Sequence, residues 1–200
     1  MKVLVYGINY YPELTGIGKY TTEMCEWLAL QGHQIEVITS LPYYPEWEIH
    51  PGYRKKGWYT ETINQVKVHR GPLFIPSEIN GYSRMLHDFS FMMSSAWNWL
   101  KKTPSNFDLV LCIYPPLPIG IMPLIYKWLK GTPFVFHVQD LQVDAARQLG
   151  IIRRPGLLKF LEGFEKFFMR RADLVSTIST EMQIKLLQKG LPLHKTAIFP

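Results

Sequence analysis

The sequence predicts an α/β fold built on a doubly wound, Rossmann-like parallel sheet. Short runs of β-branched residues alternate with longer helical patterns, as they do in βαβ units. The chain has 200 residues, of which 47% are hydrophobic and 19% charged, which suits one globular domain that buries its core without disulfides. Both cysteines lie in apolar runs far apart in the sequence, which favours buried free thiols and a reducing compartment.

The first half of the chain predicts four strands and two helices. In order, these are a strand at Val3–Gly7, a helix at Gly18–Gln31, a strand at Gln34–Thr39, a hairpin of Trp58–Ile63 with Val66–Arg70, and a helix at Arg84–Lys101. Gly32 follows the first helix as a C-cap, because glycine tolerates the left-handed backbone that ends many helices. The prolines and glycines of residues 40–57 predict a loop.

The second half continues the alternation. Its predicted elements are a strand at Asp108–Ile113, a helix at Ile119–Lys130, a strand at Pro133–Val138, a helix at Pro155–Arg171, a short strand at Val175, a helix at Thr180–Lys189 and a strand at Thr196–Phe199. We expect about six or seven strands in the doubly wound sheet, a number within the usual range for such sheets. The abrupt end at Ile198-Phe199-Pro200 predicts that the gene continues into a second α/β domain.

Charge is distributed unevenly between the two halves. Residues 1–100 carry 8 Lys/Arg and 9 Asp/Glu, whereas residues 101–200 carry 14 and 7, a net charge of +7. A basic half indicates an anionic partner, such as nucleic acid, acidic lipid or a phosphorylated substrate. Prolines interrupt the longest apolar stretch, residues 109–129, so no membrane span is predicted. We expect a cytoplasmic protein, with peripheral attachment to the inner face of the membrane as the alternative.

The loop after the first strand is the first candidate site. It contains Gly16, Ile17 and Gly18 and leads into a helix, whose first amides and dipole favour phosphate. The two glycines would let a diphosphate approach the backbone closely. A turn without a ligand is the alternative. The P-loop pattern fails because Tyr20 follows Lys19, and the dinucleotide fingerprint fails because the loop is long and the second strand ends without an acidic residue.

His137 and Asp140 form the second candidate site, at the carboxyl end of a predicted buried strand. Ligands of parallel α/β sheets bind at this edge, where the glycine loop should also lie. A histidine here could hydrogen-bond a sugar hydroxyl or a phosphate, and Asp140 could orient an acceptor hydroxyl. A core histidine and a helix N-cap are the alternatives. The histidines are scattered along the chain, so we expect neither a metal nor a cofactor.

A third segment, Ser176 to Glu181, follows a short strand and opens a helix. Its expected role is structural, with Ser179 or Thr180 as the N-cap.

The helix that begins at Pro155 has a basic stripe. Arg153, Arg154, Lys159 and Lys166 would face an anionic membrane surface or an acceptor. A core-facing helix with a solvated basic face is the alternative, and the two interpretations are compatible.

Seven stretches, taken in order, carry a resemblance to a known family. They are Tyr10-Tyr11-Pro12-Glu13 with Gly16-Ile17-Gly18, Gly32-His33 within Leu28–Val37, Gly57-Trp58-Tyr59, Val66–Pro72, Tyr114-Pro115-Pro116, His137–Leu141 and Arg171-Ala172-Asp173. Together they resemble the N-terminal domain of family 4 of the retaining GT-B glycosyltransferases, in the WcaI- and WbuB-like group of colanic-acid and capsule type. The resemblance covers essentially all of the chain.

The resemblance implies that residues 1–200 are the acceptor-binding domain of a two-domain enzyme. A donor-binding second domain, absent from this chain, would hold a nucleotide-sugar, and the chain alone should be inactive. The enzyme would move a sugar, with retention, to a lipid-linked or saccharide acceptor in surface polysaccharide synthesis. The resemblance also implies that Gly16 and Gly18 line the donor diphosphate, and that His137 and Asp140 lie at the reacting sugar.

Two functions of other classes are the alternatives. One is a Rossmann-type NAD(P) oxidoreductase or epimerase, against which the missing fingerprint argues. The other is a non-catalytic binding module. A nucleic-acid partner is not expected under the glycosyltransferase interpretation.

Overall fold

Strands and helices alternate along the chain as the sequence predicts. The structure of the protein is a computed structural model that describes residues 1–54, 56–152 and 154–199. The α/β class is confirmed, with mostly parallel strands and flanking helices in a Rossmann-like arrangement. The described residues contain eight strands rather than the expected six or seven, and they divide into two units, Met1–Val110 and Leu111–Pro200.

The first unit is a sheet of four strands with two helices. Its elements are β1 (Lys2–Tyr6), α1 (Gly16–Leu30), β2 (Gln34–Ser40), β3 (Tyr59–Ile63), β4 (Val66–Gly71) and α2 (Gly81–Lys102). The strand order is β3-β4-β2-β1, with β3 antiparallel to β4 and the other pairs parallel. Val5, Val37 and Val68 lie side by side across three strands and are completely buried, so the register places a β-branched row in the core.

The predicted hairpin is confirmed. Asn64 and Gln65 connect β3 to β4 with φ of 45° and 69°. Positive φ at both central residues is the geometry that matches the twist of paired strands. The long helix α2 starts three residues earlier than predicted, because Asn80 accepts from the Ser83 amide and the Ser83 hydroxyl accepts from the Asn80 amide in a reciprocal cap.

The second unit contains the other four strands. Its elements are β5 (Leu109–Tyr114, which begins in the first unit), α3 (Ile121–Lys130), β6 (Phe134–Val138), α4 (Gln142–Gln148), α5 (Pro155–Arg171), β7 (Leu174–Thr177), α6 (Thr180–Gln188) and β8 (Thr196–Ile198). The strand order is β5-β6-β7-β8, and β6, β7 and β8 are parallel. The sequence did not predict α4, because seven residues make about two turns and show no helical period.

Several local predictions are confirmed. Pro155 occupies the first turn of α5, and Gly32 follows α1 with φ of 83°. Cys25 and Cys112 are free and buried. Within the described part of the chain, every helix is too short or too polar to cross a membrane.

Candidate active site

The glycine loop leads directly into the first turn of α1. The helix starts at Gly16, two residues earlier than predicted, and the side chain of Thr15 at its N-cap makes no capping hydrogen bond. No acidic residue lies in the first turn. The first amides of α1 therefore face no competing carboxylate from that turn, which suits them to an external anion. Gly16 is exposed, with φ of 55°, a conformation that favours glycine.

Gly18 has a packing role that the sequence did not reveal. A Cβ atom at this position would lie 3.0 Å from both the Cβ and the backbone oxygen of Glu13. Carbon atoms attract each other best at about 3.5–4.0 Å, so a side chain would push the loop away from Glu13. The missing Cβ at Gly18 thus has a structural reason. Contact of Gly16, Ile17 and Gly18 with a diphosphate stays a prediction.

Glu13 joins the loop after β1 to the loop after β2. Its Oε1 accepts hydrogen bonds from the amides of Tyr43 and Tyr44, at 2.8 and 3.0 Å, and its Oε2 accepts one from Asn9 Nδ2 at 2.8 Å. The residue is 1% exposed, and burial raises the pKa of its carboxyl group despite these bonds. Three donors on one buried carboxyl fix both loops at the carboxyl ends of their strands.

Tyr43, whose amide donates to Glu13, belongs to an aromatic cluster with Trp47 and His87. The ring centroid of His87 lies 4.6 Å from that of Tyr43 and 5.0 Å from that of Trp47. His87 Nδ1 lies 2.6 Å from the backbone oxygen of Phe74, so Nδ1 carries the proton and donates it. Burial lowers the pKa of His87, which keeps the ring neutral. Its buried Nε2 is then a hydrogen-bond acceptor with no partner among the described residues.

Arg70 secures the same loops from the end of β4. The side chain is completely buried and donates to the backbone oxygens of Ser40, at 3.0 Å, and Tyr11, and to the carboxylate of Glu61. Its guanidinium group lies 5.0 Å from the ring centroid of Tyr53. One arginine therefore ties the glycine loop to β2 and β3, a role that no local sequence pattern indicates.

His137 lies in β6, opposite Ser176 of β7. Its Nδ1 is 2.9 Å from the Ser176 hydroxyl oxygen, and the residue is 3% exposed. Burial lowers the pKa of His137 to about 4, so the ring is neutral at pH 7. Nε2 has no hydrogen-bond partner in the described part of the chain. The structure thus shows a buried, oriented imidazole with one nitrogen left for a further partner.

Asp140 does not cap the following helix. The N-cap of α4 is Leu141, which makes no side-chain cap hydrogen bond, so the N-cap alternative for Asp140 is wrong. The chain stays irregular from Gln139 to Leu141, which moves Asp140 out of the capping position. Asp140 is exposed, and its charge helps to raise the pKa of Tyr114, after burial and the nearer carboxylate of Glu165. Its carboxylate makes no hydrogen bond or ion pair with any described residue.

The segment after β7 has the structural role that was expected. Ser179 is the N-cap of α6, and its hydroxyl oxygen accepts from the Met182 amide at 3.3 Å. Thr177 donates its hydroxyl proton to the backbone oxygen of Val138 at 2.9 Å. These two side chains connect β7 to β6 and α6, and their hydroxyl groups are hydrogen-bonded within the protein.

Comparison with known proteins agrees with the resemblance. A family model described as "Glycosyl transferase 4-like domain" matches residues 15–200, nearly the whole chain. The chain belongs to the glycosyl transferase 4-like family. It is 39% identical over 204 residues to the putative colanic acid biosynthesis glycosyl transferase WcaI of Escherichia coli strain K12. The match covers 100% of this chain and 50% of WcaI, so the chain spans about half the length of this curated relative.

Two solved structures share the fold of this glycosyl transferase 4-like chain. Sucrose-phosphate synthase from Thermosynechococcus elongatus aligns with a TM-score of 0.60 at 13% identity, over 100% of this chain and 88% of its own. The catalytic domain of starch synthase IV from Arabidopsis thaliana, bound to ADP and acarbose, aligns with a TM-score of 0.59 at 13% identity, over 99% and 50%. At this identity the likeness concerns the fold.

The sequence did not predict a buried ionic network in the second unit of the chain. Glu165 of α5 is completely buried, accepts from the Tyr114 hydroxyl at 2.6 Å and pairs with Lys189 at 2.9 Å. Lys189 also pairs with Asp144 of α4 at 2.7 Å. The signal was available: Glu165 lies four residues after Leu161, on the side of the helix that carries the apolar stripe.

Of the four predicted cations, Arg153 lies outside the described residues. Arg154 directly precedes α5, and Lys159 and Lys166 lie on the helix. Arg154 and Lys159 are exposed and Lys166 is half-buried. Phe160 is 66% exposed on the same helix. Exposed cations and an exposed aromatic ring are therefore both present in this segment, while contact with a membrane or an acceptor stays a prediction.

The pKa of His137 predicts a pH dependence of stability. Because the folded protein holds this imidazole at a pKa of about 4 rather than the ordinary 6.5, it binds fewer protons than the unfolded chain between these values. The free energy of unfolding should therefore fall as the pH drops from about 6.5 to 4, with a contribution of about 3 kcal/mol from this group. Urea unfolding of wild type and His137→Gln across this range measures the effect, and the free energy of unfolding of the variant should fall less steeply.

His69 and His87 remain in both proteins, so the difference between the two curves isolates His137. Parallel curves would contradict the assignment.

Proposed function

We propose that this chain is the acceptor-binding half of an enzyme that transfers a sugar, with retention, from a nucleoside diphosphate sugar to a saccharide or lipid-linked acceptor. Membership of the glycosyl transferase 4-like family supports sugar transfer and argues against the oxidoreductase and binding-module alternatives. A second Rossmann-like domain would hold the nucleotide-sugar. The size of WcaI, of which this chain spans half, supports that division, and the name of WcaI supports surface polysaccharide synthesis.

The observation that carries the proposal is the neutral, oriented imidazole of His137 at the end of β6. The Ser176 hydroxyl is hydrogen-bonded to Nδ1, so Nε2 can form one hydrogen bond with a hydroxyl of the transferred sugar. It accepts when Nδ1 carries the proton and donates when the Ser176 hydroxyl donates to Nδ1. Asp140, exposed three residues further on, would accept a hydrogen bond from the acceptor hydroxyl. Neither role requires a metal.

Within the first unit, taken by itself, we propose two further contacts. The uncapped first turn of α1, with Gly16, Ile17 and Gly18, would donate amide hydrogen bonds to the donor diphosphate. The unpartnered Nε2 of His87 would accept a hydrogen bond from a hydroxyl of the acceptor, with Tyr43 and Trp47 as the apolar walls. A buried acceptor atom without a partner costs about 1–3 kcal/mol, which a bound hydroxyl would recover.

We also propose that the protein binds peripherally to an anionic membrane surface through α5. The exposed ring of Phe160 would enter the interface, while Arg153, Arg154, Lys159 and Lys166 would face acidic headgroups. A lipid-linked acceptor would be reached at that surface.

The catalytic role of His137 is tested in the full-length protein. His137→Ala should lower turnover at least about tenfold, or ~1.4 kcal/mol of transition-state stabilisation, because the sugar hydroxyl loses its partner. Thr177→Val is the matched control, since Thr177 is buried on the neighbouring strand and, among the described residues, its hydroxyl bonds only to the backbone oxygen of Val138. The control should lose stability and keep its turnover. A folded His137→Ala protein with wild-type turnover would leave His137 as a core residue.

Membrane attachment is tested by co-sedimentation with phosphatidylserine vesicles. Each cation near an anionic surface contributes about 1 kcal/mol, so four should give measurable binding at low salt that weakens as salt rises. Replacing Arg153, Arg154, Lys159 and Lys166 with Glu should abolish binding and leave the circular dichroism unchanged. Equal binding to phosphatidylcholine vesicles, or binding to neither, would contradict the proposal.

A further inference from the structure

A basic cavity opens at the amino ends of β7 and β8. The segment with Ser179 lies at the other, carboxyl end of β7. Its volume is about 460 Å³, and its lining includes Lys127, Trp128, Arg170, Arg171 and Lys195. These residues come from the last turns of α3 and α5 and from the turn before β8. His137 and Asp140 lie in the second half of β6 and beyond it, so the cavity is remote from the residues proposed for sugar transfer in this unit.

The cavity holds more positive charge than its own residues neutralise. Its one carboxylate, Asp173, is already engaged, because Oδ1 pairs with Lys127 at 2.7 Å and Oδ2 accepts from the Phe134 amide at 2.9 Å. Four Lys/Arg therefore face one Asp, which leaves a net charge of about +3 before any contribution from histidine. An anion is the ligand that such a lining favours.

The two lysines are held in place, while the two arginines are available. Lys127 donates to the backbone oxygen of Arg171 at 3.2 Å, and Lys195 donates to that of Arg170 at 2.5 Å, so both ammonium groups cap the carboxyl end of α5. The guanidinium groups of Arg170 and Arg171 are exposed and pair with no carboxylate of the described residues. Planar guanidinium groups in pairs bind phosphate oxygens bidentately.

Exposed apolar residues stand next to this cavity. Trp128 lines it and is 65% exposed, and Leu129, the next residue of α3, is also 65% exposed. Phe167 is exposed one turn before Arg171, whose guanidinium lies 5.5 Å from its ring centroid. Tryptophan beside arginine and lysine is the combination that locates at the headgroup level of a bilayer. This neighbourhood favours a phosphate that belongs to a lipid over one that is free in solution.

We propose that this cavity binds the headgroup phosphate of an anionic membrane lipid. Arg170 and Arg171 donate to the phosphate oxygens, Lys127 and Lys195 hold the positive rim, and Trp128 and Leu129 enter the interface. The inference rests on the proposed peripheral membrane attachment and deepens it, because it replaces a diffuse attraction to negative charge by a site that recognises phosphate.

The probe is a vesicle of phosphatidylcholine with phosphatidic acid, compared with phosphatidylserine vesicles at matched surface charge. Phosphatidic acid exposes a terminal phosphate to the two guanidinium groups, so wild type should bind it at least about fivefold more tightly, or ~1 kcal/mol. Arg170→Gln with Arg171→Gln should abolish this preference. Arg154→Gln with Lys159→Gln is the matched control, because it removes the same charge from exposed positions at the start of the same helix and should weaken binding to both vesicles equally.

Two further variants separate recognition from charge. Arg170→Lys with Arg171→Lys keeps the charge but loses the planar fork, so the preference for phosphatidic acid should fall while binding to phosphatidylserine is kept. Trp128→Ala should weaken binding to both vesicles. Thermal unfolding and circular dichroism of every variant establish that it is folded.

The outcomes distinguish the cavity from the broader attachment. Binding to anionic vesicles without a preference for phosphatidic acid, or a preference that survives loss of both arginines, overturns the cavity proposal and leaves membrane attachment standing. Absence of binding to any vesicle overturns both, while sugar transfer to a water-soluble acceptor remains a separate test. Full displacement by millimolar glycerol phosphate would assign the cavity to a soluble phosphate and overturn the lipid assignment.

Discussion

The buried carboxyl of Glu13 is the interaction on which the candidate site of the first unit depends. It accepts from the amides of Tyr43 and Tyr44 and from Asn9, and thereby fixes the loops that follow β1 and β2. The close approach of Gly18 to Glu13 then packs the first turn of α1 against the loop after β1. A residue without a side-chain acceptor at position 13, such as alanine, would leave these two amides unpaired, each at a cost of about 1–3 kcal/mol. Glu13 is thus the structural centre of the loops that we propose to receive the substrates.

We propose different roles for the two edges of the sheet in the second unit, which are sugar transfer at the carboxyl ends of the strands and lipid binding at the amino ends. Beyond the carboxyl end of the neighbouring strand β6, the carboxylate of Asp140 has no partner among the described residues, and burial keeps the imidazole of His137 neutral. At the amino end, cations gather around the end of α5, where the helix dipole also favours positive charge. A headgroup bound in the cavity would therefore leave the carboxyl end of β6 open to the acceptor.

Most of the fold could be predicted because its signals are local. Asn64 and Gln65 sit between two β-branched runs, Pro155 can occupy a first turn without losing a hydrogen bond, and Gly32 tolerates positive φ; each of these depends on neighbouring residues alone. The short helix α4 was not predicted, because seven residues are too few to show a helical period. The candidate site was only partly predictable for a different reason. His137 and Gly16 could be placed from strand ends. Glu13, Arg70 and Glu165, however, each bond to a residue at least 24 positions away in the sequence, and no local pattern records those partners.

The measurement that tests the account most directly is sugar transfer by the full-length protein with Glu13→Gln and Glu13→Ala. The amide oxygen of Gln can still accept from Tyr43 and Tyr44, and Asn9 can rotate its amide to present oxygen. We therefore expect Glu13→Gln to retain kcat/KM within about threefold, less than ~1 kcal/mol. Glu13→Ala, assayed at a temperature where urea unfolding shows it to be folded, should lose at least about tenfold, because the loops no longer hold the substrate groups in position. A folded Glu13→Ala protein that transfers sugar at the wild-type rate would contradict the account.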